Sequence, residues 1–187
     1  MAVMIPGDPP RGGGGQVAEA ELYRALQRGL SDDFYVYHHT PFVDPRDAAE
    51  GEADFLVLHR EYGLLLIECK GSGVHRLSDG GWVRTWKGQE TPTQSPFDQA
   101  QGSLRKLVRI LFERGRDIWP ASARDLPMIF GHAVAFPYWN ASTVPLPLES
   151  PRAIVFDALA DASSLKREIV SGLDGTRTNR QHPATTT

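Results

Sequence analysis

The chain has 187 residues, 41% hydrophobic and 23% charged, with a net charge of −3, a profile that fits one soluble globular domain with a core of ordinary size and excludes a disordered or fibrous chain. No apolar run approaches the roughly 20 residues of a membrane-spanning helix and the start MAVMIPGDPPRGGGG lacks the pattern of a signal peptide, so the expectation is a cytoplasmic protein without membrane contact. The single cysteine, Cys69, excludes an intrachain disulfide and a multi-cysteine zinc site, and the absence of the pattern GxxxxGKS/T excludes P-loop chemistry from this chain alone.

Residues 1–15 are rich in Pro and Gly without periodicity, and residues 174–187 carry no aliphatic side chain larger than alanine. Both read as flexible tails around one domain at 16–173. Gln16 to Gly29 reads as a helix, with Ala18, Leu22, Ala25 and Leu26 on one stripe and Gly29 as its stop. At about 100° per residue, Glu19 falls on the flank of that stripe and Glu21 points away from it. FYVYHHT (34–40) has strand composition, and DFLVLH (54–59) and LLLIECK (64–70) are apolar runs of the kind that form buried central strands. WVRTW (82–86) is a further short strand. Ser95-Pro96-Phe97-Asp98 combines an N-cap residue, a proline at the first helical position and an acid three residues after the cap. Phe97, Ala100, Leu104, Leu107 and Leu111 then mark the buried face of a helix running to about Glu113. Strands at MIFGHAVAF (128–136) and AIVF (153–156) and a polar helix at about 161–170 complete the chain. The order helix, three strands, helix, strand predicts a mixed α/β sheet flanked by helices.

The loop Arg60-Glu61-Tyr62-Gly63 is short enough to join DFLVLH and LLLIECK as a hairpin, with Gly63 free to take a positive φ. Centred on Glu61, the hairpin sets Asp54 opposite Glu68 and Glu52 opposite Lys70. Strand alternation puts Glu68 and Lys70 on one face and Cys69 on the other. Directly opposed residues have Cβ atoms about 4.5–5.5 Å apart, so two carboxylates and an ammonium converge at the end of two apolar strands. Facing carboxylates repel unless a cation lies between them. Mg²⁺, which takes one or two carboxylates and leaves its remaining positions to water and phosphate, suits that ligand set; Lys70 alone could supply part of the charge. Charge is also divided along the chain: residues 1–70 hold 6 Lys/Arg against 12 Asp/Glu, and residues 71–120 hold 8 against 5. An acidic metal site beside a phosphate-binding surface is compatible with this division.

The string GEADFLVLHREYGLLLIECKGSG (51–73) resembles the core of the nuclease-related domain, NERD, a branch of the PD-(D/E)xK superfamily with the restriction-endonuclease-like fold. The family's helix acid with apolar residues three and seven positions later corresponds to Glu19, Leu22 and Leu26. Its Asp followed by E-x-K corresponds to Asp54 and Glu68-Cys69-Lys70, and its later helix start to Pro96-Phe97-Asp98-Gln99-Ala100. The resemblance spans roughly residues 16–160. It departs at Ala18 and Ser95, where the family often has Gly and Asn; neither change removes a metal-binding side chain. The resemblance implies a Mg²⁺-dependent nuclease, with Mn²⁺ able to substitute, that hydrolyses DNA in processing, repair or defence. It implies that Asp54 and Glu68 hold the metal with the Cys69 carbonyl, that Glu19 binds a second metal or orients its water, that Lys70 positions the attacking water, and that Gln99 contacts the substrate backbone or that water. Family members occur alone or joined to helicase, kinase or membrane segments, so DNA is the expected partner and a helicase a further one. The alternative is a non-catalytic nucleic-acid-binding or interaction module with the same fold.

Arg105, Lys106, Arg109, Arg114 and Arg116 could track DNA phosphates, although charges opposite an apolar stripe are first of all a solvated face. Trp82 and Trp86 share a strand face and read as core or sheet cover before they read as a base-stacking platform. His38 and His39 point to opposite faces and do not share a metal. Cys69 reads as a buried small hydrophobe, and the Gly12–Gly15 run lacks the preceding strand that a phosphate-cradling loop needs.

Overall fold

A computed structural model describes residues 1–11, 15–43, 50–139, 153–155 and 159–180; most of the Gly12–Gly15 run, Phe156 and residues 181–187 lie outside them. The first elements are β1 (Val3–Ile5), α1 (Gly15–Gly29), β2 (Phe34–Val43), β3 (Glu50–His59) and β4 (Gly63–Cys69). They are followed by β5 (Val74–Arg76), β6 (Trp82–Trp86), β7 (Gln89–Thr93), α2 (Pro96–Arg114), β8 (Phe130–Phe136), β9 (Ala153–Val155) and α3 (Ala162–Arg180). The main sheet has six strands in the order β1-β2-β3-β4-β8-β9, and β5-β6-β7 form a separate small sheet. The β2–β3 and β3–β4 pairs are antiparallel, while β1–β2, β4–β8 and β8–β9 are parallel. The expected mixed sheet flanked by helices is thus present, consistent with the restriction-endonuclease-like fold.

Strand alternation builds two cores, one on each side of the sheet. On one side, Ala18, Leu22, Tyr23 and Leu26 of α1 and Leu165, Ile169 and Leu173 of α3 pack on Phe55, Val57, Leu65 and Ile67. On the other, Phe97, Ala100, Leu104, Leu107 and Val108 of α2 pack on Leu56, Leu64, Leu66 and Phe136. Every residue of β4 is buried, as a strand covered on both faces by helices requires. Its hairpin with β3 has the expected register from His59↔Gly63 to Phe55↔Ile67. Gly63 adopts φ 102° there, and a Cβ at this position would lie 2.1 Å from the Ile129 carbonyl oxygen. His59 closes the turn, its Nδ1 accepting the N–H groups of Glu61 and Tyr62 at 3.1 and 3.3 Å.

The ends differ from expectation. Residues 3–5, read as part of a flexible tail, form an edge strand because Ala2 and Met4 alternate into the α1-side core. This segment is pinned further by the Tyr23 hydroxyl, which donates to the Gly7 carbonyl, and by His38 Nε2, 3.1 Å from the Pro6 carbonyl. Helix α3 also continues to Arg180, past the expected end of the domain at residue 173. The small sheet is only partly anticipated: β6 falls at 82–86 as expected, and β5 and β7 are additional to the expected strands.

Candidate active site

The site lies where β3 and β4 diverge. Beyond Phe55↔Ile67 the backbone ladder gives way to a side chain: Asp54 Oδ2 accepts the Cys69 N–H at 2.7 Å. This bond fixes the Asp54 carboxylate beside the Glu68–Lys70 segment. Glu68 projects on the α2 side, where Lys70 Nζ lies 2.6 Å from its Oε1 and 2.9 Å from Gln99 Oε1 on the first turn of α2. Glu68 and Lys70 are almost fully buried, their side chains 5% and 11% exposed, so the pair sits in a setting where an ion is costly unless neutralised. The pairing of Glu52 with Lys70 does not form. Glu52 is turned toward β2, its Oε1 3.3 Å from His39 Nδ1, and Lys70 is drawn to Glu68 and Gln99.

Glu19 reaches the same place from α1. Glu21 meanwhile pairs with Arg24 at 2.9 Å on the exposed face, as the helical positions predicted. Glu19 Oε2 stands 3.0 Å from His39 Nε2, an ion-pair distance without hydrogen-bond alignment, and among the described residues this buried oxygen has no hydrogen-bond partner. Sequence reasoning missed His39. In the β2–β3 register His38 pairs with Phe55 and Thr40 with Ala53, leaving His39 across from Asp54 with φ 48°. This left-handed backbone turns the imidazole between Glu19 and Glu52. The signal available was the register itself, since pairing β2 with β3 puts a histidine against the acid singled out on β3.

The electrostatics follow from this crowding. Burial, reinforced by the Glu68 carboxylate, pushes the Asp54 carboxyl up to about 7. Burial also raises Glu19; Glu52 and Glu68 push it the same way and His39 opposes them. Each carboxyl gains from a nearby cation, and Lys70 is already shared between Glu68 and Gln99. The unsatisfied Glu19 oxygen and the raised Asp54 carboxyl therefore fit a hard cation held by Asp54 and Glu68 with Glu19 near. Among the described residues no group of three or more His, Cys, Asp or Glu is placed so that it could hold a metal ion. Mg²⁺ does not require one, because it keeps several waters and takes few carboxylates. The Cys69 thiol lies in the α1-side core, raised well above its ordinary value by burial and by Asp54, which disfavours a nucleophilic thiolate.

The structure brings Glu19, Asp54, Glu68, Lys70 and Gln99 together, with the Cys69 backbone beside them. It does not bring Arg105, Lys106 or Arg109 into this group. They lie six to ten residues farther along α2, about 9–15 Å at 1.5 Å per residue; Arg105 is exposed and Lys106 and Arg109 are half-buried. Among the described residues no helix is long and apolar enough to cross a membrane. No match was found among curated proteins or among solved structures. A family model described as the nuclease-related domain matches residues 14–137, from α1 through the end of β8 and across every residue of the site, and the chain belongs to that family.

Proposed function

We propose that the protein is a metal-dependent nuclease that hydrolyses DNA phosphodiester bonds, with Glu19, Asp54, Glu68 and Lys70 as its working set. The observation that carries this reading is the convergence of the half-buried Asp54 carboxylate, the buried Glu68 carboxylate and the largely covered Lys70 ammonium at the diverging ends of β3 and β4, within a family-model match of nuclease-related type. Asp54 and Glu68 would hold Mg²⁺ or Mn²⁺, aided by the Cys69 carbonyl, with Glu19 beside them. Bound there, the ion supplies Lewis-acid polarisation and a lowered water pKa, the usual sources of rate for phosphodiester hydrolysis at neutral pH.

The side chains themselves have defined tasks. An ammonium carries three donors; Lys70 commits one to Glu68 and one to Gln99 and keeps the third for a phosphate oxygen or the attacking water. Glu68 fixes the Lys70 stem so that this donor needs no reorientation as charge develops, a preorganisation that typically carries much of the rate. Gln99 turns its carbonyl oxygen to Lys70, which leaves its amide N–H groups for the substrate backbone.

The test is cleavage of circular single-stranded and supercoiled duplex DNA in Mg²⁺, Mn²⁺ or EDTA, comparing the native chain with Lys70→Ala and Lys70→Arg. Metal-dependent cutting that disappears in Lys70→Ala supports the assignment. DNA binding without metal-dependent cutting by the native chain would replace it with a non-catalytic binding module.

A further inference from the structure

The small sheet has two unlike faces. Its pairings are Arg76↔Trp82 and Val74↔Arg84 on one side of β6, and Trp82↔Thr93, Arg84↔Thr91 and Trp86↔Gln89 on the other. By alternation, Val74, Arg76, Trp82, Arg84 and Trp86 share one face with Gln89, Thr91 and Thr93. The acid of these strands, Glu90, pairs with Thr85 and belongs to the opposite face, where its Oε1 lies 3.2 Å from His75 Nε2. At its inner end the first face is anchored in the core. Trp82 is buried and lies nearly parallel to Phe136 and Trp139, with centroids 6.1 and 6.2 Å away. About 13 Å farther along β6, at 3.3 Å per residue, Trp86 is 67% exposed, so the reading as core or sheet cover holds for Trp82 and is corrected for Trp86. Lys87 and Gly88 both take positive φ, 49° and 79°, the pattern of a tight two-residue hairpin that holds this tip in shape.

A groove of about 390 Å³ runs from Lys70 and Gln99 past Thr93 and Thr91 to Arg84. A second depression, about 520 Å³, shares Arg84 and Thr91 and extends to Trp86 and Gln89. Among the described residues no Asp or Glu lines either of them. The combination is a cation, a row of hydroxyl and amide groups and an open aromatic face, continuous with the lysine of the candidate site. Phosphates are drawn by the first, and an unstacked base finds its platform in the last.

We propose that the β5–β6–β7 sheet is a binding arm for single-stranded nucleic acid, in which Arg84 contacts a phosphate and Trp86 stacks on a base of the strand that enters the groove toward Lys70. Double helices present their bases already stacked, so Trp86 engages a single-stranded stretch or a frayed end. The proposal deepens the nuclease reading by naming the substrate class, and it rests on that reading only for what happens at Lys70.

Binding is measured without turnover, in EDTA, by fluorescence anisotropy of labelled oligothymidylate, oligouridylate and a blunt DNA duplex. The native chain, Trp86→Ala, Trp86→Phe and Arg84→Ala are compared, with urea midpoints confirming that each is folded. Trp86→Ala should weaken single-strand binding about fivefold or more, Trp86→Phe should restore most of it, and duplex affinity should stay within about twofold. Arg84→Ala should weaken single-strand binding and lower the slope of log Kd against log salt by about 0.7, the value for one phosphate contact. The oligothymidylate-to-oligouridylate ratio identifies DNA or RNA as the preferred strand. Native-like single-strand affinity in Trp86→Ala, or no single-strand binding by the native chain, overturns the proposal. Because this assay holds no metal, the two readings fail separately. Binding that needs Trp86 with no cleavage in Mg²⁺ keeps the arm and removes the nuclease, whereas Lys70-dependent cleavage of single strands that ignores both Trp86 and Arg84 keeps the nuclease and removes the arm.

Discussion

Replacing Asp54 by Asn should make the metal-free chain more stable at alkaline pH while removing its response to metal. In the unfolded chain Asp54 ionises near its ordinary value of 3.8, and in the folded chain near 7. Between these values the folded state keeps a proton that the unfolded state has lost, so stability falls as pH rises from about 4 to about 7, and the loss is complete above that range. About three pKa units at 1.36 kcal/mol each amount to roughly 4 kcal/mol. Asn retains a carbonyl oxygen to accept the Cys69 N–H but carries no charge, so Asp54→Asn should recover most of that amount at pH 8.5 and nothing at pH 4. In a domain of this size, roughly 4 kcal/mol corresponds to a melting-temperature rise on the order of 10 °C. Urea unfolding followed by tryptophan fluorescence in EDTA, at both pH values, measures it. Adding Mg²⁺ at pH 8.5 should raise the midpoint of the native chain, whose ionised Asp54 then gains a cation, and leave the variant unchanged. Equal stabilities of the two chains at pH 8.5 in EDTA would show that the Asp54 carboxylate is not strained in the folded state, and the basis for a cation beside it would go with that result.

The same shift gives the proposed metal site a pH dependence: a cation held there would need Asp54 ionised, so cleavage at limiting Mg²⁺ should rise through pH 7 and flatten at high Mg²⁺, read from initial rates at several metal concentrations. Lys70→Ala should lower the cleavage rate by about 100- to 1000-fold. It should also cost about 3 kcal/mol in urea unfolding, because it leaves the buried Glu68 carboxylate without its partner, and Lys70→Arg should recover stability better than rate. Gln99→Ala removes one acceptor from Lys70 at an exposed helix start; stability should change by less than about 1 kcal/mol while initial cleavage rates drop about tenfold. Gly63→Ala should destabilise the chain by about 3 kcal/mol in the same unfolding assay, since it combines a strained positive φ with a methyl driven into the Ile129 carbonyl.

What was legible in the sequence depended on burial. The β3–β4 hairpin could be registered because both strands are apolar and β4 is buried along its whole length, and a slip of one residue would turn the apolar set out of its layer. That register brings Asp54 and Glu68 side by side. It misplaced Glu52 because regular pairing stops where Asp54 bonds the Cys69 N–H, and no spacing rule anticipates a side chain taking over a backbone partner. His39 was hidden for a related reason: alternation assigns it a face, but its φ of 48° breaks the alternation, and only a few per cent of non-glycine residues take that backbone, so no pattern announces it.

The elements that escaped notice are those whose formation owes little to their own apolar pattern. Strand β1 and the residue before it contribute only Met4 and Ala2 to the core, too few to show a period, and the strand forms because β2 offers an edge. Strand β7 is QETPT, exposed throughout; it is held by its ladder to β6 and by a two-residue turn, and as an edge strand it tolerates Pro92. The even spacing of Trp82 and Trp86 correctly put them on one face. Whether that face is covered depends on how far the body of the domain extends beneath it, and the body stops after Trp82, where Phe97, Phe136 and Trp139 provide the last stacking partners. An aromatic held beyond the edge of its own core, with an arginine two residues before it and a groove returning to Lys70, is a feature of the assembled layers and not of any single segment.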